Sequence, residues 1–114
     1  IVKGGIAMDA QLKRGVLEIC VLAAMREEDT YGYKIIKDLS PFMQVSESTL
    51  YPILKRLEQS GCVTEYSVEH NGRLRKYYRI TGAGHDKIKD FLNDWDSVMR
   101  AYYFIRGEGY YDEK

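Results

Sequence analysis

Leu12, Val16, Ile19, Cys20 and Ala23 recur at steps of three and four residues, the spacing that lines one face of an α-helix. Leu17, Val21, Leu22 and Met25 occupy other faces of the same stretch, so a helix starting at Asp9 is apolar on most sides. A helix of that kind is buried centrally or shared between subunits. The segment EEDT breaks it, and Thr30 is the expected N-cap of a second helix over residues 31–40, with Ile35, Ile36 and Leu39 inward. Gly32 in its first turn lowers helix propensity by about 1 kcal/mol against Ala, unless a close contact forbids a side chain there. Pro41 ends this helix. A third begins at Ser46 or Ser48, either a good N-cap, and buries Leu50, Ile53, Leu54 and Leu57. Gly61 then stands where a helix takes its left-handed terminating residue.

The pattern next changes to alternation. Residues 62–69 and 73–80 read as half-buried strands joined by Asn71-Gly72, the strongest short hairpin signal. A two-residue loop sets Val68 opposite Arg75 and Tyr66 opposite Tyr77. One ribbon face then carries Arg73, Arg75 and Arg79 around the tyrosine pair, and the other turns Val63, Tyr78 and Ile80 to the core. Thr81 caps a last helix over residues 83–105, where Ile88, Phe91, Leu92, Trp95, Val98, Met99 and Tyr102 form one stripe. The expected fold is mainly α with a small β-ribbon: a winged helix-turn-helix plus a long C-terminal helix. The expected division is a disordered or vector-derived start over 1–8, a DNA-binding domain over 9–81, a dimerisation helix over 82–106 and a flexible tail over 107–114.

Composition changes this picture little. The 114 residues fit one modest domain with zero formal net charge, which argues against a highly basic nucleic-acid binder. The distribution says more, because His70 to Arg79 contains Arg73, Arg75, Lys76 and Arg79 and no acid. The longest apolar run, Val16 to Met25, is interrupted by Glu18 and too short to span a bilayer, so no membrane partner is expected. Cys20 and Cys62, both expected to face the core, suit a reducing cytoplasm and neither a disulfide framework nor a zinc site.

The third helix offers the candidate chemistry. With its leucines inward, Ser48, Thr49, Tyr51, Pro52 and Lys55 cover the outward side near the N-terminus. Hydroxyls and a cation suit phosphate and base-edge hydrogen bonds, and helix N-termini attract phosphate. A merely solvated face would look similar, but Pro52 deletes a helical hydrogen bond at a cost of up to ~3 kcal/mol, which function or shape explains better than chance. Directly after it comes the ribbon, whose Arg73, Arg75 and Lys76 are placed to touch the flanking DNA backbone. Lys13, Arg14 and Lys34 could add contacts, although nothing in the sequence separates them from ordinary surface charge. The stripe of the last helix is too long to leave wet, so Phe91, Leu92, Trp95, Val98, Met99 and Tyr102, joined by Leu12 and Val16, are the expected homodimer seam. Trp95, Met99 and Tyr102 there either pack the seam or form a soft platform for a planar aromatic effector.

The segments LKRGVLEICVLAAM, YGYKII, STLYPILKRLEQSG and RKYYRIT, with the spacing Gly84–Phe91–Leu92–Trp95 in the last helix, resemble the PadR family of transcriptional regulators. The resemblance spans residues 11–103 and implies a repressor with a winged helix-turn-helix and a C-terminal dimerisation helix, of the shorter subclass with a single such helix. Such proteins often release DNA on binding phenolic acids or drugs at variable sites, so the ligand does not carry over. The short wing is a departure from the family pattern.

An enzyme is not expected. His70 and His85 lack metal spacing or a partner motif, and there is no P-loop, dinucleotide fingerprint or nucleophile elbow to hold a cofactor. The alternative from another class is a winged-helix protein-interaction module without a DNA target, for which a Tyr-rich surface of zero net charge is suited. A steep salt dependence of duplex binding separates the two.

Overall fold

In the computed structural model, which describes residues 9–108, seven elements follow one another. They are α1 (Ala10–Ala24), β1 (Thr30–Tyr31), α2 (Gly32–Leu39), α3 (Glu47–Gln59), β2 (Val63–His70), β3 (Arg73–Ile80) and α4 (Gly82–Ile105). The expected start over 1–8, and all of the expected tail beyond Glu108, lie outside the described residues.

The core forms where the inward faces meet. Leu17, Val21, Leu22 and Met25 of α1 pack with Ile35 and Leu39 of α2 and with Leu50, Ile53, Leu54 and Leu57 of α3. Val63 and Tyr78 close it from the ribbon and Ile88 from α4. Burying each such side chain contributes about 1.5–3 kcal/mol, enough to fix α2 and α3 as one body. On α1 the stripe Leu12, Val16, Ile19 and Ala23 falls on the far side from Leu17 and Val21 at 3.6 residues per turn. Leu12 is accordingly 48% exposed. Ile19, Cys20 and Ala23 nevertheless pack, half-buried, against the core, so the apolar surplus of α1 broadens its buried face and leaves Leu12, at the start of the stripe, open.

Two expectations are corrected between α1 and α2. Thr30 does not cap the second helix: it lies in β1, buried and paired with Tyr78, and its hydroxyl has no hydrogen-bond partner. The N-cap position is Tyr31, without a side-chain cap. The β structure is thus a three-stranded antiparallel sheet in the order β1-β3-β2, not a lone ribbon. A two-residue strand carries no alternation, so only its pairing with β3 reveals it. The exception allowed for Gly32 does hold, because a β-carbon there would lie about 2.9 Å from the Tyr51 ring carbon Cζ.

The remaining signals fold as expected. Ser46 caps α3, its hydroxyl accepting from the Thr49 amide at 3.3 Å. At its far end Gly61, with φ at 81°, closes a Schellman turn in which the Cys62 amide reaches Leu57 O and the Gly61 amide Glu58 O. Asn71 and Gly72 both have positive φ, as a two-residue type I′ turn requires, and Val68 pairs with Arg75 and Tyr66 with Tyr77.

Thr81 caps α4, accepting from the Gly84 amide while its hydroxyl donates to Gly61 O at 2.6 Å. One residue thereby ties the start of α4 to the end of α3. Gly84 makes this possible, since a β-carbon there would lie 2.5 Å from the Cys62 carbonyl oxygen.

Candidate nucleic-acid interface

On α3 the four buried residues set one side, so Ser48, Pro52, Lys55 and Gln59 fall opposite the core. Tyr51 stands on one flank, its ring laid over the first turn of α2 at Gly32. Thr49 and Arg56 stand on the other flank, toward α1. The first turn carries a cluster of hydroxyls: Ser46 Oγ is 3.0 Å from Ser48 Oγ and 3.1 Å from Thr49 Oγ1. These groups sit where the aligned peptide dipoles leave positive charge. Lys55 makes no ion pair among the described residues. Ser48, Thr49, Tyr51, Pro52 and Lys55 are thus brought together on one exposed surface.

The sheet places the ribbon cations unequally. Arg73, Arg75 and Arg79 share a face with Tyr66 and Tyr77, whereas Lys76 lies on the opposite face, 3.6 Å from Glu65. Arg79 is held by Asp29, with Nη2 at 3.0 Å and Nε at 3.1 Å from the same carboxylate oxygen. Tyr66 donates its hydroxyl to that oxygen as well, at 2.5 Å. Between these groups the rings continue: Tyr66 stacks on Tyr77 at 5.7 Å, Tyr77 meets the edge of Tyr31 at 5.4 Å, and the Arg75 guanidinium lies 4.2 Å over Tyr31. The hairpin is therefore clamped at its base by a row running from Asp29 to Arg75. Arg73, nearer the tip, has no ion-pair partner among the described residues.

Asp29 and Tyr31 are the supports of this surface that sequence reasoning missed. EEDT read as a helix breaker, and only the pairing of β1 reveals that it grips the wing. The Arg79 hydrogen bond, and then that of Tyr66, hold the Asp29 carboxyl below its ordinary value. The ionised form is the one the fold favours. Its contribution is complete above the usual carboxylate value of about 3.9 and is lost as pH falls through the lower folded value. We expect the urea unfolding midpoint of Asp29→Asn, followed by circular dichroism, to change less with pH in that window than that of the unmodified chain. The exposure of the pair keeps the effect small.

The far end of α4 is the second surface. Gly84 and Ile88 are buried on it, and the same face continues through Phe91, Trp95 and Met99, half-buried, to Leu92, Val98 and Tyr102, exposed. Phe91 and Trp95 stack at 5.6 Å. A cleft of about 320 Å³ between α1 and α4 is lined by Phe91 but not by Trp95, Met99 or Tyr102. Cys62 is buried; Cys20 is half-buried, and burial pushes its thiol up. Among the described residues no group of His, Cys, Asp or Glu could hold a metal, and no helix is long and apolar enough to cross a membrane.

Comparison with known proteins agrees with this architecture. Residues 21–90 match the sequence profile of the transcriptional regulator PadR-like family. The chain is 32% identical to the transcriptional regulator Rv3488 of Mycobacterium tuberculosis over 91 residues, covering 79% of this chain and 85% of that one. It is 29% identical to the negative transcriptional regulator PadR of Bacillus subtilis over 82 residues, which is 68% of this chain and 45% of that one. The crystal structure of a PadR family transcriptional regulator from Eggerthella lenta superposes with a TM-score of 0.78 at 29% identity, covering 87% of this chain and 88% of that one. With α3, the hairpin and the C-terminal helix of a winged helix in this order, and with relatives that are transcriptional regulators and not enzymes, the chain belongs to the PadR-like family of transcriptional regulators.

Proposed function

We propose that the chain is a cytoplasmic DNA-binding repressor that acts as a homodimer on a pseudo-palindromic operator. The observation that carries this reading is the exposed face of α3, where Ser48, Thr49, Tyr51, Pro52 and Lys55 stand together and the clamped hairpin follows at once. In this reading α3 enters the major groove and residues 9–81 form the reading unit. Arg73 and Arg75 meet flanking phosphates, with Lys76 reaching from the other ribbon face. Residues 82–106 join two copies, so the half-sites lie about one helical turn apart. The sign of regulation follows the Bacillus subtilis relative, named a negative regulator.

Selection from a random-sequence duplex pool should recover a two-fold symmetric site, with binding that falls steeply as salt rises. Tyr51→Ala should then discriminate less between that site and random DNA, because Gly32 seats the Tyr51 ring on the flank of the reading helix. Recovery of no preferred sequence, or duplex binding indifferent to salt, would remove the reading.

Release by a planar aromatic effector is part of the same proposal. Trp95, Met99 and Tyr102 share the stripe that joins the two reading units, so a ligand seated there acts by favouring a dimer whose α3 helices no longer match the half-sites. A tenfold loss of DNA affinity takes about 1.4 kcal/mol of differential binding, and DNA weakens the ligand equally. Trp95 is the only Trp, so its fluorescence reports the titration. Equal ligand affinity with and without the selected site would rule out the switch.

A further inference from the structure

We propose that Lys13 and Arg14 of α1 bind neighbouring backbone phosphates of the duplex beside α3, an anchor on the flank of the reading helix opposite Tyr51. The inference rests on the DNA reading above and adds residues that reading does not use. Between α1 and the N-terminal half of α3 runs a cleft of about 400 Å³. Lys13 and Arg14 line one wall, Ser48, Thr49 and Arg56 line the other, and no carboxylate lines it.

The charges are not equally free. Arg56 donates to Glu18 at 3.1 Å, and the other oxygen of Glu18 lies 3.6 Å from Lys87. Glu18 is the i+4 neighbour of Arg14, the position from which a helical Arg ordinarily finds its partner, and it is turned to other cations instead. Lys13 and Arg14 make no ion pair or side-chain hydrogen bond among the described residues. By contrast Lys76 and Arg79 of the ribbon, more conspicuous in sequence, face Glu65 and Asp29.

Geometry selects the occupant. A duplex docked on the face of Ser48, Pro52 and Lys55 carries its sugar-phosphate strands past both flanks of α3. The strand on the Thr49 side passes the cleft, where two unpaired cations, the Ser48 and Thr49 hydroxyls and the positive end of α3 converge. Such a contact carries no base information. It fixes the angle at which α3 lies in the groove.

The test uses the full chain and a labelled 30-base-pair duplex of mixed sequence, titrated by anisotropy between about 50 and 200 mM KCl. Each phosphate contact contributes about 0.9 to the salt slope, so Lys13→Gln with Arg14→Gln should lower it by up to about 1.8. Across that range the variant then loses roughly tenfold less affinity than the unmodified chain. Lys13→Arg with Arg14→Lys should keep the slope, because charge and not packing is required. Lys89→Gln, exposed on α4, should also keep it. An unchanged slope in the double Gln variant, when Lys55→Gln lowers it, would overturn this anchor and leave the function standing. Weaker binding at an unchanged slope would likewise overturn it, as a structural effect. An unmodified chain that ignores the duplex would remove both.

Discussion

Replacing Val98 and Met99 together by Ala should leave the chain monomeric at concentrations where the unmodified protein is paired. Helix α4 runs for 24 residues, about 36 Å at 1.5 Å per residue, yet its buried residues are only Gly84 and Ile88. Beyond Ile88 the apolar face goes on in register, half-buried at Phe91, Trp95 and Met99 but open beside them: Leu92 is 56% exposed and Val98 45%. In the homodimer proposed above, a second copy supplies the matching face, joined by Leu12 and Val16 of α1. Two-fold symmetry makes each truncation count twice. With large-to-small changes at buried sites costing about 1–5 kcal/mol each, at least about 4 kcal/mol per dimer is lost. That is roughly a thousandfold in the dissociation constant. The effect should fall on assembly more than on folding, because the cluster from Leu17 to Tyr78 is closed within one protomer. Sedimentation of both proteins at micromolar concentration decides it, and a native chain that sediments as a stable folded monomer would refute the seam.

What the sequence made legible follows from which forces act locally. The buried stripe of α3, the Ser46 cap, the Gly61 turn and the Asn71-Gly72 hairpin are each set by residues within one or two turns of chain. Each appears where the pattern puts it. The register of the hairpin is equally local, since a two-residue loop leaves one pairing. β1 is different. Thr30 and Tyr31 become a strand only because β3 lies beside them, 48 residues further on for the Thr30–Tyr78 pair, and no periodicity records that contact. From this miss came the misplaced cap and the unseen role of Asp29. For the candidate site, the sequence grouped the α3 residues well but could not rank the cations. Charge count treats Lys76, Arg79, Lys13 and Arg14 alike, whereas their value to a phosphate depends on whether a carboxylate already holds them.

Removing Lys55, Arg73 and Arg75 together should weaken duplex binding by about a hundredfold near 0.15 M salt, from three contacts at about 0.9 each in the salt slope. The loss should be similar for all sequences, since these cations are assigned to phosphates. Arg75 needs separate treatment, because its guanidinium also covers the Tyr31 ring. Arg75→Lys keeps the charge but not the planar stacking, so it should retain the slope while loosening the wing. Arg79→Ala supplies the contrast. Its charge is already met by Asp29, so the variant should bind more weakly at every salt concentration, through a displaced hairpin, with little change in slope. Anisotropy titrations of the four proteins over a range of KCl separate a lost contact, which changes the slope, from a lost support, which does not. Unchanged duplex binding in the triple variant would defeat the assignment of these residues to the DNA.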